Sequence, residues 1–260
     1  MEQAARDKFI FITGAASGIG RATAKLFAER GWFVGCFDRN AEALAALKEE
    51  LGAETGLFLP LDVTDRAALI EAVGVFDEAS RGRLDLLFSN AGIDAKGPFA
   101  DMAWDKIVAI VEINLLGSMS LIHAAFPLLK ATPGSLCLST ASASAIFGTA
   151  TLAAYSASKH GVKGLTEALS VEFAADGVRA ADILPGIIDT GMLPAEQKAM
   201  LPTEGIWRVL PAEAIAETVW QAYQGTALHW YAPEELAAYD VHVTASPEST
   251  RDDRIAGRLI

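Results

Sequence analysis

"KFIFITGAASGIG", residues 8–20, joins an apolar run to a glycine-rich turn, and the rest of the chain organises around that junction. Phe9 to Thr13 is continuously apolar or β-branched, the composition of a strand buried on both faces. The helical pattern "ATAKLFAER" follows at 22–30. A chain passing from strand to helix through Gly14, Gly18 and Gly20 brings its backbone close to a ligand, because glycine removes the Cβ that would block the approach. The helix N-terminus then offers free N–H groups and a positive dipole end, which suit a pyrophosphate. The spacing is neither GxGxxG nor, lacking a Lys after the last glycine, a P-loop. Gly14, Ser17, Gly18, Ile19 and Gly20 are read as a dinucleotide cradle.

Working outward, strand-like runs alternate with helical patterns. "WFVGCFD" (32–38), "GLFLPLD" (56–62), "LDLLFSN" (84–90), "GSLCLST" (134–140), "VRAADIL" (178–184) and "ALHWYA" (227–232) read as strands. Helical patterns lie between them, including two stretches around 102–130, a helix through Tyr155 and another at 211–224. This alternation predicts βαβ units and a single α/β, doubly wound Rossmann-type domain over 1–260, with a mainly parallel seven-stranded sheet flanked by helices. No composition break divides it.

Composition narrows the function classes. The chain has 260 residues and a formal charge of -12 with no basic run, which argues against a nucleic-acid partner. "MEQAARDK" at the start is charged and leads directly into the first strand, so no signal peptide is expected. Residues 113–129 carry no charge but include Asn114, His123 and Pro127, and the uncharged stretch 131–158 contains ten Ser or Thr. Neither reads as a membrane span. Cys36 and Cys137 sit in apolar runs, as reduced thiols of a cytoplasmic protein would. No metal motif is present among the scattered His and Cys.

Two positions carry chemistry. Asp38 closes the second strand, where a carboxylate accepts hydrogen bonds from the adenosine ribose and repels a 2′-phosphate; NAD is therefore favoured over NADP, although Arg39 could oppose this. In "YSASK" (155–159) Tyr155 lies one helical turn before Lys159, on the same helix face. A Lys ammonium about 4 Å away, at an effective dielectric near 20, favours a phenolate by up to about 4 kcal/mol. That is a ceiling of roughly three pKa units on the lowering of the Tyr155 phenol, before desolvation takes some back. His160 projects away on the helix and is assigned to packing or an interface, as is the aromatic "HWYAP" (229–233). Gly161 and Gly164 are expected to allow close helix approach.

"TGAASGIG", "SNAG" (89–92), "INLLG" (113–117), "STASASAIFG" (139–148), "YSASK" and "PGIIDTGM" (185–192) occur in the order and spacing of the short-chain dehydrogenase/reductase family, and the chain resembles its single-domain branch from about residue 8 to 192. The resemblance implies a catalytic set of Tyr155 as acid/base, Lys159 as its partner, Ser142 as the hydroxyl orienting the substrate oxygen, and Asn114 ordering a water. It also implies cofactor contacts from Asp62, Val63, Asn90, Ala91, Gly92, Pro185, Gly186, Ile188 and Thr190, together with Tyr155 and Lys159. The implied activity is hydride transfer between NAD(H) and a secondary alcohol or ketone. An NADPH-dependent carbonyl or 3-oxoacyl reductase is the alternative, and a catalytically silent dinucleotide-binding regulator is the alternative of another class.

The substrate is expected to be a small molecule held by Ile93–Lys96, Ser144–Phe147, Thr149–Leu152 and Ile187 under a lid over about 192–210. These walls lack a clustered Arg or Lys pair, which argues against a strongly anionic substrate; Lys96 and Arg208 are the cations nearest to hand. The segment 227–260 departs from the family's usual ending. A homo-oligomer is expected, with a dimer through the helices at 102–130 and 154–175 more secure than a tetramer.

Overall fold

In a computed structural model of the chain the described residues are 7–257 apart from 192, 194 and 199. The ends of the expected domain, 1–6 and 258–260, and Met192 at the head of the expected lid lie outside them.

The chain builds β1 (Phe9–Thr13), α1 (Gly18–Glu29), β2 (Phe33–Asp38), α2 (Ala41–Leu51), β3 (Gly56–Pro60), α3 (Arg66–Ser80) and β4 (Leu86–Ser89). Then come α4 (Trp104–Val111), a π-helical turn (Glu112–Leu116), α5 (Gly117–Ala131), β5 (Leu136–Thr140), α6 (Ala153–Glu172) and β6 (Arg179–Pro185). The last part holds β7 (Ile187–Asp189), α7 (Ala195–Lys198), β8 (Val209–Pro211), α8 (Ala212–Gln224), β9 (His229–Ala232), α9 (Leu236–Ala245) and α10 (Pro247–Ile255). Seven strands form one sheet in the order β3-β2-β1-β4-β5-β6-β9, every pairing parallel. β7 and β8 make a separate parallel pair.

Strand β1 shows why its sequence reads as a continuous apolar run. Ile10 and Ile12 enter a core with Phe27, Val34, Phe88 and Ile215, whereas Phe9 and Phe11 enter the opposite core with Phe76, Leu87 and Leu121. Successive side chains alternate between faces, and helices cover both. Fully burying each such side chain contributes roughly 1.5–3 kcal/mol. A third cluster joins Ile146, Val162 and Leu184 to Leu236, Tyr239 and Val243 of α9. The divergent end of the chain therefore packs beneath β6 and α6.

The two expected helical stretches at 102–130 are one continuous helix, Trp104–Ala131, widened at the π turn. It is long and apolar enough to cross a membrane by length and composition, with a mean hydropathy of 1.7. Its Leu121, Ile122, Ala125, Leu128 and Leu129 are buried in the core, so here it is a wall of the sheet. A Cβ on Gly161 would stand 2.8 Å from Leu115, as expected of a close helix approach. Gly164 has open space around it, contrary to that expectation.

Candidate active site

The strand order reverses between β1 and β4, and in open parallel sheets ligands bind beyond the carboxyl ends of the strands at that point. The glycine turn sits there. Gly14 and Gly18 have φ of 66° and 49°, backbone that L side chains rarely adopt. A Cβ on Gly20 would lie 2.1 Å from the Gly14 carbonyl oxygen, so the turn closes only with glycine. Ser17 caps α1 without a side-chain hydrogen bond to it, and no acidic residue occupies the first turn, so the positive end of the helix faces outward uncompensated. This cradle fits a dinucleotide pyrophosphate.

From the turn a cavity of about 1500 Å³ extends across the sheet edge. Its lining includes Gly14, Ser17, Gly18, Ile19, Asp38, Asp62, Val63, Asn90, Ala91, Gly92, Ser142, Tyr155, Lys159, Pro185, Gly186, Ile188 and Thr190. The structure thus gathers sequence-predicted residues from the whole length of the chain. Two predicted positions stand behind the wall. Gly20 is buried beneath Gly14, and Asn114 is 0% exposed.

Several of these residues are tied down by neighbours. The two Asp38 carboxylate oxygens accept from the backbone N–H of Ala16 (3.1 Å) and Asn40 (2.9 Å), fixing the carboxylate at the end of β2. Asp62 accepts from the N–H and hydroxyl of Thr64, and these bonds, backbone first, hold its carboxyl below its usual range. The Asn90 amide donates to the Thr13 carbonyl (3.1 Å), and its oxygen accepts from the Thr140 hydroxyl (3.1 Å), strapping together the ends of β1, β4 and β5.

Ser142 Oγ accepts from Ser144 N–H at 3.1 Å, which leaves its own hydroxyl hydrogen to donate to the Tyr155 oxygen. Lys159, 4% exposed, donates from Nζ to the Thr140 carbonyl at 2.6 Å, and burial lowers its pKa to about 8. Its Nζ lies 5.7 Å from the Tyr155 ring centroid. Tyr155 itself is pushed up from the ordinary Tyr value, chiefly by burial, with its Ser142 hydrogen bond opposing and the Asp94 charge adding. The expected lowering of Tyr155 is thus reversed. Desolvation of the phenolate outweighs the Ser142 hydrogen bond, and the same dry surroundings destabilise the charge of Lys159.

Asn114 is a clamp. Its side-chain amide donates to the Ile93 carbonyl (2.9 Å) and to Ser158 Oγ (3.0 Å), and its oxygen accepts from Ile93 N–H (2.8 Å). Both amide hydrogens are engaged, and the residue locks the loop after β4 to α6. His160 is exposed, with Nδ1 2.9 Å from the Ser156 carbonyl oxygen of its own helix.

Sequence reasoning missed Thr140, whose backbone and side chain anchor Lys159 and Asn90, because a strand-end Thr carries no pattern. It also missed Tyr239, Arg251 and Arg254, which line the cavity from the far end of the chain. Arg208, considered as a substrate cation, is paired with Glu235 at 2.9 Å and lies off the cavity. Among the described residues no group of His, Cys, Asp and Glu could hold a metal.

A family model described as short chain dehydrogenase matches residues 8–200. The chain belongs to the short-chain dehydrogenase family. It is 34% identical over 234 residues to a cis-4-hydroxycyclohexanecarboxylate dehydrogenase of Sinomonas cyclohexanicum, covering 84% of this chain and 90% of that one. Among solved structures, a 3-ketoacyl-(acyl-carrier-protein) reductase from Brucella melitensis complexed with NADH superposes with a TM-score of 0.78 at 26% identity, covering 87% of this chain and 96% of that one. An alcohol dehydrogenase from the archaeon Thermococcus sibiricus complexed with 5-hydroxy-NADP gives 0.76 at 26% identity, covering 86% and 95%. This short-chain dehydrogenase thus has an oxidoreductase fold that binds a nicotinamide dinucleotide.

Proposed function

We propose that the protein is an NAD-preferring alcohol dehydrogenase that interconverts a cyclic secondary alcohol and its ketone. The observation that carries the reading is Tyr155, Lys159 and Ser142 lining one cavity with the glycine turn and Asp38. The cyclic substrate is favoured by the 34% identical hydroxycyclohexanecarboxylate dehydrogenase and by apolar walls such as Ile93, Phe147 and Ile187. Asp38 favours NAD, because its fixed carboxylate would repel a 2′-phosphate.

A nicotinamide dinucleotide held by the cradle, Asp62, Val63, Asn90–Gly92, Pro185, Gly186, Ile188 and Thr190 supplies the hydride acceptor or donor. Tyr155 takes the alcohol proton in oxidation and returns it to the carbonyl oxygen in reduction. Ser142 donates a hydrogen bond to that oxygen as its charge develops. Lys159 supplies positive charge beneath the phenol and a contact to the nicotinamide ribose. Asn114 holds the Ile93 loop against α6, keeping both sides of the pocket in register. We read the chain as one domain of a cytoplasmic enzyme, with the segment 192–210 as a lid.

The outward residues Trp104, Leu116 and Met119 of the long helix and Val171 of α6 are exposed apolar side chains. They support a homodimer that covers them.

The test is oxidation of a panel of cyclic secondary alcohols by the purified protein with NAD, then NADP, at alkaline pH, read by absorbance of the reduced cofactor. Turnover with NAD in preference to NADP is expected. Tight NAD binding without turnover of any alcohol or ketone would instead favour the silent regulator.

A further inference from the structure

Beyond the groups assigned to hydride transfer, the same cavity has a wall built by the end of the chain. Helix α10 returns to the pocket and sets Arg251 and Arg254 on its lining. Arg251 is exposed and its guanidinium pairs with Asp252 at 2.8 Å. Arg254 is different. Its guanidinium carbon stands 5.1 Å from the Phe147 ring centroid and 5.9 Å from those of Trp207 and Tyr239. One Nη2–H donates to the Tyr239 hydroxyl at 2.6 Å.

Aromatic faces hold a guanidinium in place without neutralising it. On α10 Arg251 pairs with Asp252, whereas Arg254 has no ion pair among the described residues; of the other arginines on the cavity lining, Arg39 at the end of β2 also has none there. A part-buried cation in an apolar cavity is costly unless a ligand supplies the counter-charge. The planar fork of Arg suits a carboxylate in particular. One guanidinium balances one negative charge, which fits a carboxylate better than a phosphate carrying nearly two.

The rest of the pocket sets the ligand's direction. Asp94 also lines the cavity, and its charge is felt at Tyr155. The Arg254 guanidinium draws an anion to the far wall, away from Tyr155. We propose that Arg254 receives a carboxylate on the substrate, while the carbinol end of the same molecule faces Tyr155. The substrate class becomes a hydroxy acid, with a ring between the two groups. This rests on the dehydrogenase reading above. It replaces the expectation that a strongly anionic substrate is disfavoured, which considered only walls up to residue 208.

Binding of cyclohexanecarboxylate and of its neutral analogue cyclohexanecarboxamide, measured by calorimetry with and without NAD, tests the anion site without requiring turnover. A charge-assisted hydrogen bond should make the acid bind roughly 10- to 100-fold more tightly than the amide. In Arg254→Gln that preference should fall to about threefold or less, and Arg254→Lys should keep part of it. Equal binding of acid and amide to the unaltered protein overturns the proposal whether or not any variant folds. A preference that survives in Arg254→Gln overturns it too, and assigns the anion to Arg251 or Lys96. Turnover of a ring hydroxy acid is measured in parallel. If none occurs yet acid binding depends on Arg254, the dehydrogenase reading falls and the carboxylate site stands. If alcohols turn over but acid and amide bind alike, the reverse holds.

Discussion

At Tyr155 the phenol is pushed up by burial, so the proton is held more firmly than in a free side chain. A firmly held proton favours the acid role near neutral pH, and the base role grows as pH rises. Alcohol oxidation should therefore climb through the alkaline range while ketone reduction declines, a crossing visible in kcat/KM profiles for both directions. Tyr155→Phe should lower kcat by at least about 10²-fold with the cofactor still bound, because positioned acid–base groups contribute 10²–10⁴-fold. A loss smaller than tenfold contradicts the assignment. Lys159 offers a separate check. Its folded pKa of about 8 lies below the ordinary 10.5, so between those values the unfolded chain binds more protons than the folded one. Stability from this group then rises with pH across that window, and below it the burial penalty is present in full. Urea unfolding of wild type and Lys159→Met from pH 7.5 to 9.5 should show the wild type gaining on the variant; a constant difference would mean that Lys159 is not desolvated. Asp38→Ala should raise NADP use and lower NAD use together, measured as kcat/KM for each cofactor.

Among the elements, the long helix Trp104–Ala131 does two jobs through its π turn. The extra width there carries Asn114 inward to clamp Ile93 and Ser158, while α5 beyond it covers the core. Asn114→Ala leaves the Ile93 N–H and carbonyl without their buried partner, a cost of about 1–3 kcal/mol for each such group left unsatisfied. The expected outcome is a lower unfolding midpoint with reduced kcat, and unchanged stability would show that the clamp is dispensable. The strands make a simpler prediction. Cys36 and Cys137 are free and buried in β2 and β5, and burial pushes the Cys137 thiol up to about 12 and Cys36 higher still. Both should resist a thiol reagent in native buffer and react only on unfolding.

On the scale of the whole molecule, the last thirty or so residues complete the pocket instead of trailing from it. Leu236, Tyr239 and Val243 of α9 join the cluster beneath β6 and α6, and α10 then reaches the cavity rim. The outer face of the long helix leaves Leu116 51% and Met119 39% exposed, apolar surface of the kind that a second copy covers. Sedimentation should find a dimer for the wild type and a monomer for Leu116→Asp combined with Met119→Asp. A monomeric wild type would remove the dimer from this account.

The sequence by itself determined the sheet, the glycine cradle and the Tyr155–Lys159 pair. These rest on local rules: continuous apolar runs for strands buried on both faces, positive φ at Gly14 and Gly18, and one helical turn between two side chains. Local pattern did not reach the long helix's continuity, because a π turn is written in no periodicity, nor the sign of the Tyr155 shift, because desolvation depends on what surrounds a group. Arg254 was the least legible of all. It lies in a charged tail with no motif, almost a hundred residues beyond Lys159, and nothing local distinguishes it from a solvated arginine. Only the packing of α9 against Ile146, Val162 and Leu184 carries α10 back to Phe147 and Trp207. That long-range apolar contact, a matter of tertiary burial, decides which cation faces the substrate.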